Sequence, residues 1–121
     1  MYESGEDYLE AILVLQLENG FARSVDVANK LAVSRPSVSR AMSVLEKDGF
    51  VEFGIGNMLK LTEKGKEKAE DIYSRHKLLT SFLQKITGLP EDQCEENACR
   101  VEHQIDADVV NGIKKWLSEN Q

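Results

Sequence analysis

Cysteine is scarce in this 121-residue chain: Cys94 and Cys99 are the only two, five positions apart. That spacing matches neither a disulfide framework nor a zinc-type Cys-x-x-Cys pair. No apolar run approaches the roughly 18 residues a membrane-spanning helix needs, and no signal-peptide pattern opens the chain. The expected compartment is therefore the cytoplasm, with no membrane partner. Internal repeats and low-complexity stretches are absent. Positive charge is also in short supply, with 15 Lys and Arg against 21 Asp and Glu, a net charge of −6 and a pI near 5.0. At face value that balance speaks against nucleic acid as a partner. What is present is 41% apolar and 30% charged residues. This is too hydrophobic for a disordered tail, too charged for a membrane protein, and long enough for one domain or a small domain with an appendage.

Hydrophobic periodicity predicts a mostly helical chain. A first helix spans about Glu6 to Glu18, with Leu9, Ile12, Leu13 and Leu17 at three- and four-residue steps and Gly20 as its stop. A second runs from Ser24, read as its cap, to Leu31, with Val27, Ala28 and Leu31 facing inward. After a tight turn at Ala32-Val33, Ser34 suits an N-cap and Pro36 is tolerated in the first turn of a third helix. That helix buries Val38, Met42 and Leu45 and ends at Gly49. Two alternating segments, Phe50–Phe53 and Met58–Leu61, flank Gly54-Ile55-Gly56-Asn57 and read as a β-hairpin. Thr62 caps a long helix to about Ile86, Pro90-Glu91 opens a fifth to about Ile105, and Asp106 caps a sixth.

Two short helices joined by a tight turn and followed by a hairpin make a winged helix-turn-helix. The third helix would enter the major groove, with Ser34, Arg35, Pro36, Ser37, Ser39 and Arg40 at its start and Lys47 at its end. Ser and Arg side chains there can reach phosphates and base edges. Arg23, Asn57 and Lys60 would add contacts from the flank and the hairpin. The plain alternative is that each Ser or Arg is an ordinary cap or a solvated residue. Charge counted by segment favours the DNA reading. From Gly20 to Lys68 nine basic residues face six acidic ones, a balance of +3, so the rest of the chain carries −9.

The acidic remainder holds ligand-type side chains at helical spacing. Asp7 and Glu10 share a face of the first helix, and Cys99, Glu102 and His103 share a stripe of the fifth that Glu95 extends. His76 and His103 are the only histidines. Imidazoles with carboxylates suit Mn(II), Fe(II) or Zn(II), and a thiol favours the later metals. Each feature also has a structural explanation. Ser4 and Asp7 fit a capping box, Glu102 and His103 fit a solvated face, and Cys99 fits a small buried hydrophobe.

Five segments in order are familiar: Glu6-Asp7-Tyr8-Leu9-Glu10-Ala11-Ile12; Asp26-Val27-Ala28 through Ser34, Pro36 and Ser39; Leu61-Thr62-Glu63-Lys64-Gly65; Arg75-His76-Lys77-Leu78-Leu79; and Ala98-Cys99-Arg100-Val101-Glu102-His103. Together they resemble the DtxR/MntR family of metal-dependent transcriptional repressors across essentially the whole chain. The resemblance implies a winged helix-turn-helix DNA-binding domain over residues 1–70 and a helical metal-binding and dimerisation domain over 71–121. It also implies that Asp7, Glu10, His76, Cys99, Glu102 and His103 stand at metal-ligand positions, with Glu95 as an additional candidate. The cofactor implied is Mn2+ or Fe2+, one or two ions per subunit, with Zn2+, Co2+ or Ni2+ as substitutes in vitro. Asp7 is manganese-like and Cys99 iron-like. Thr80 and Glu95 stand where iron-type members carry the Glu and His of a second site. Overall length resembles the two-domain manganese type, without an SH3-like third domain.

The resulting expectation is a homodimeric repressor of metal-uptake genes that binds a double-stranded operator when loaded with metal. Val110, Ile113 and Trp116 are the expected dimer contacts. No small organic ligand is expected. The main alternative is a winged-helix regulator that senses no metal. A metalloenzyme built on two imidazoles and a carboxylate is set aside, because the sequence shows no substrate-binding loop. Oxidation of Cys99 would remove a ligand.

Overall fold

The computed structural model describes residues 3–121, so the first two residues of the expected 1–70 domain lie outside the described residues. The chain divides into two compact units between Glu70 and Asp71. The first holds α1 (Glu3–Asn19), β1 (Ala22–Arg23), α2 (Ser24–Leu31), α3 (Arg35–Lys47), β2 (Val51–Phe53), a 3-10 turn (Ile55–Asn57), β3 (Met58–Leu61) and the start of α4 (Glu63–Thr87). The second holds the remainder of α4, α5 (Glu91–Val101) and α6 (Ala107–Glu119). The mostly helical class and the hairpin wing are as the sequence pattern predicts.

In the first unit Leu9, Ile12, Val27, Val38, Met42, Val51 and Leu59 are almost wholly buried. The Leu periodicity of α1 is shorter than it looks, because Leu17 is 64% exposed. α1 also starts earlier than expected, which places Ser4 inside the helix and removes the capping-box explanation of Asp7. The cap of α2 is Arg23 rather than Ser24: the Arg23 backbone N–H and Nε both donate to the Asp26 carboxylate, at 3.3 and 3.2 Å. An acid in the first turn also complements the helix dipole. The helix-turn-helix corner is made at Ala32, which adopts a left-handed conformation (φ 55°, ψ 45°). Ser34 then caps α3 as expected, its Oγ accepting from the Ser37 N–H at 3.2 Å.

The hairpin supplies two strands of a three-stranded antiparallel sheet ordered β1-β3-β2. β3 pairs with β2 through Glu52–Lys60 and with β1 through Ala22–Leu59. β1 escaped the sequence reading because two residues cannot show an alternating pattern. The turn after α3 is anchored to the start of α4 by side-chain hydrogen bonds to its backbone. Thr62 Oγ1 donates to the Gly49 carbonyl at 2.6 Å and accepts from the Gly65 N–H at 3.0 Å, and Lys64 Nζ donates to the Asp48 carbonyl at 2.9 Å. Only glycine fits at Gly65, since a Cβ there would stand 1.9 Å from the Phe50 carbonyl oxygen.

In the second unit Ile72, Leu79, Cys94, Ala98 and Val110 are the buried apolar side chains among the described residues, and the Phe82 and Trp116 rings meet edge to face at 5.5 Å. α5 ends at Val101, four residues short of the expected Ile105. Glu102 is its C-cap, with its N–H donating to the Ala98 carbonyl at 2.9 Å, and the Gln104 N–H donates to the Val101 carbonyl at 3.0 Å. His103 therefore lies in a turn, not on a helical stripe with Cys99. Asp106 caps α6 by accepting from the Val109 N–H at 3.0 Å. Val110 is 7% exposed. Its place is inside the unit, which corrects its assignment as a dimer contact.

Candidate nucleic-acid interface and metal centre

The first unit presents a groove of about 580 Å³ lined by Arg23, Ser24, Val25, Arg35, Ser39, Ser43, Phe53, Gly56 and Asn57. The start of α2, the exposed face of α3 and the wing tip thus share one concave surface. It gathers Arg23, Arg35, Ser39 and Asn57 from the predicted DNA contacts. Ser34, Ser37 and Arg40 form a linked group at the start of α3: the two hydroxyls are 2.8 Å apart and Arg40 Nη2 donates to Ser37 Oγ at 3.3 Å. Pro36, Lys47 and Lys60 are exposed but do not line the groove. Sequence reasoning missed Ser24, Val25, Ser43 and Phe53. Ser43 lies one helical turn after Ser39 and periodicity could have found it. The other three depend on where β1 and the wing fold back.

The second unit holds a carboxylate between two imidazoles. Glu102 is 1% exposed. His76 Nδ1, on α4, lies 2.9 Å from its Oε2, and His103 Nε2 lies 3.3 Å from its Oε1. The first contact is a hydrogen bond in which Nδ1–H donates. The second is close in distance but lacks hydrogen-bond alignment, so Oε1 is a buried acceptor without a hydrogen-bond partner among the described residues. A buried carboxylate oxygen without a donor is unfavourable. Each carboxylate oxygen thus faces one imidazole, and carboxylate and imidazole are donor types that can hold a divalent cation.

The other predicted ligands are placed as follows. Asp7 and Glu10, in the first unit, are half-buried and three residues apart on α1. Cys99 and Glu95 are exposed on α5 and neither belongs to the cluster around Glu102. The exposure of Cys99 removes its explanation as a small buried hydrophobe. Thr80 is buried, and its Oγ1 donates to the His76 carbonyl at 2.8 Å. Its hydroxyl is thus occupied within α4.

A winged helix-turn-helix in one unit and a buried carboxylate-imidazole cluster in the other define a class of protein that pairs a DNA-binding fold with a metal-ligating helical unit. Comparison with known proteins agrees with that class. Residues 1–54 match the family described as the iron-dependent repressor N-terminal DNA-binding domain, and residues 62–121 match the iron-dependent repressor metal-binding and dimerisation domain. The HTH-type transcriptional regulator MntR of Bacillus subtilis is 36% identical over 110 residues, covering 91% of this chain and 77% of its own. The iron-dependent repressor IdeR of Mycobacterium tuberculosis is 32% identical over 118 residues, covering 98% of this chain and 51% of its own. Among solved structures, IdeR of T. acidophilum superposes with a TM-score of 0.86 at 26% identity, over 93% of this chain and 53% of that one. The chain therefore spans about half the length of the iron-dependent repressors it matches. It belongs to the DtxR/MntR family of iron-dependent repressors.

Proposed function

We propose that this chain is a metal-activated transcriptional repressor that binds a double-stranded operator as a homodimer. The observation that carries the reading is Glu102, a carboxylate buried between His76 and His103 with one oxygen lacking a hydrogen-bond donor. Such a group destabilises a protein unless a cation is part of its function. His76, Glu102 and His103 are proposed as ligands, and Asp7 and Glu10 of α1 stay ligand candidates on the strength of the sequence resemblance. A divalent cation would offset the negative charge of its carboxylate ligands.

The donors are then nitrogen and oxygen, a set that suits Mn2+ or Fe2+. Cys99, exposed on α5, is not required in it. That favours the manganese-like reading of Asp7 over the iron-like reading of Cys99.

For DNA, α3 is proposed to enter the major groove with Arg35 and Ser39 toward base edges, and Arg23 and Asn57 toward the backbone along the groove they line. Ser34 and Ser37 hold the start of the helix, and Arg40 is steadied by Ser37. The dimer surface is proposed at an apolar groove of about 330 Å³ lined by Phe82, Ile86, Val109, Gly112, Ile113 and Trp116. Ile86 and Val109 are 51% and 46% exposed there, which a second copy would cover.

Operator affinity measured with chelator and with Mn2+ or Fe2+ tests the function. Affinity should rise by at least tenfold with metal. Equal affinity in both conditions would make the protein a winged-helix regulator that senses no metal.

A further inference from the structure

Glu102 and His103 sit where helical support ends. α5 stops at Val101, and the turn that follows is held within itself by the Glu102 N–H to Ala98 carbonyl bond and the Gln104 N–H to Val101 carbonyl bond. Glu102 and His103 keep their distances to His76 only while this turn keeps its place against α4. Two neighbouring residues of α4 reach across to it. His76 meets Glu102, and Arg75 Nη1 donates to the Ile105 carbonyl at 2.9 Å. Ile105 lies two residues beyond His103, just before the Asp106 cap of α6, so the Arg75 contact closes the far end of the turn.

The Arg75 guanidinium is itself oriented. Asp71, one turn earlier in α4, places Oδ2 3.5 Å from Nε. That approach is an ion pair without hydrogen-bond geometry, and Nε is buried with no acceptor among the described residues. Burying a guanidinium nitrogen in this way is unfavourable for folding alone. A planar side chain with a fixed fork suits fixing one carbonyl relative to one helix.

We infer that Arg75 is a positioning residue for the metal centre. It fixes the turn carrying Glu102 and His103 against α4, so that both keep ligating geometry with His76. The inference rests on the metal reading above and assigns a role to a residue that is not itself a ligand. Partners that orient ligands typically change metal affinity by about 10- to 100-fold when removed.

The test is Co2+ titration of the full chain followed by ligand-field absorption, with thermal melts in chelator, for wild type, Arg75→Gln, Arg75→Lys and Asp71→Asn. Arg75→Gln should weaken Co2+ binding by about 10- to 100-fold and change the shape of the absorption spectrum. Arg75→Lys, which keeps a donor and the charge, should fall between it and wild type, and Asp71→Asn should shift in the same direction by less. If Arg75→Gln does not fold, Arg75→Lys and Asp71→Asn carry the comparison. Wild-type affinity and spectrum in the folded variants would overturn the inference, and a change confined to the melts in chelator would reduce Arg75 to a structural role. Absence of Co2+ uptake by the wild-type chain would overturn the metal reading itself, and the inference with it.

Discussion

Replacing Glu102 with glutamine separates the metal function from the fold, because the two shapes are alike and the charges are not. In the protein without metal, the Glu102 carboxylate accepts from His76 Nδ1–H at 2.9 Å, while Oε1 lies buried without a donor. The amide carbonyl of glutamine can still accept from His76, and the substitution removes a desolvated charge. Melting in chelator should therefore be unchanged or slightly higher, within about 1 kcal/mol of wild type. The metal increment should behave differently. An ion that binds only the folded state stabilises it by about 2.7 kcal/mol when free metal is a hundred times its Kd. For a chain of this size that is roughly 10 °C in Tm. Thermal melts of wild type and Glu102→Gln, each with chelator and with excess Mn2+, measure both quantities. Wild type should gain about 10 °C and the variant about none. A variant that keeps the full increment would remove Glu102 from the ligand set. One that loses more than about 3 kcal/mol in chelator would show that the charge itself is structural.

Three further outcomes check other parts of the structure. Gly65→Ala brings a Cβ within 1.9 Å of the Phe50 carbonyl oxygen, so either α4 or the wing base must move. The expected loss is about 3 kcal/mol in a denaturant melt, together with weaker operator binding, and wild-type stability would contradict the close approach. Arg35→Ala should lower the slope of log affinity against log salt for operator DNA by about one. Its Mn2+ melting increment should match wild type, and a lost increment would break the proposed division of labour. Trp116→Ala removes the edge-to-face contact with Phe82 and one of the side chains that line the apolar groove. Sedimentation should show dimer affinity weakened by more than about 2 kcal/mol, and an unaltered dimer would place the interface elsewhere.

The fold was legible wherever pattern and punctuation agreed. Ser34, Pro36 and Gly49 bracket α3, and the Val38, Met42, Leu45 periodicity identifies its buried face. Two elements were not legible for physical reasons. β1 is two residues long and exists because β3 has a free edge to pair with, which local sequence cannot express. The end of α5 was misplaced because Glu102, His103 and Gln104 carry no glycine or proline signal. The helix ends there through a turn that Arg75 closes from 30 residues away. The same error shaped the reading of the site. Treating Cys99, Glu102 and His103 as one helical stripe put the thiol beside the imidazole, whereas the turn separates an exposed Cys99 from a buried Glu102. On the DNA side, α3 residues could be found by spacing, but Phe53 and Asn57 join Arg35 only through the folded wing.

The charge distribution limits how metal can act on DNA binding. One divalent ion changes the formal net charge from −6 to −4, and that change alone does not account for activation. Exposed charges act over about 8 Å at physiological salt, and DNA meets surfaces, not totals. Arg23 and Arg35 line their groove, with Arg40 beside them at the start of α3, in the chain without metal. The +3 segment they belong to is present whether or not Glu102 holds a cation. The surface proposed to meet phosphate is therefore basic before any ion binds. Under the proposed function, metal must act by changing how often two copies of that surface are spaced to engage one operator, a shift in population. The size of such a shift is set by the difference in metal affinity between the two states. Moving a 1:99 equilibrium to 99:1 takes about 5.5 kcal/mol, more than one ion at a hundred times Kd supplies. Either the metal-free dimer already samples the DNA-competent spacing at well above one per cent, or both subunits must be loaded before the operator is held.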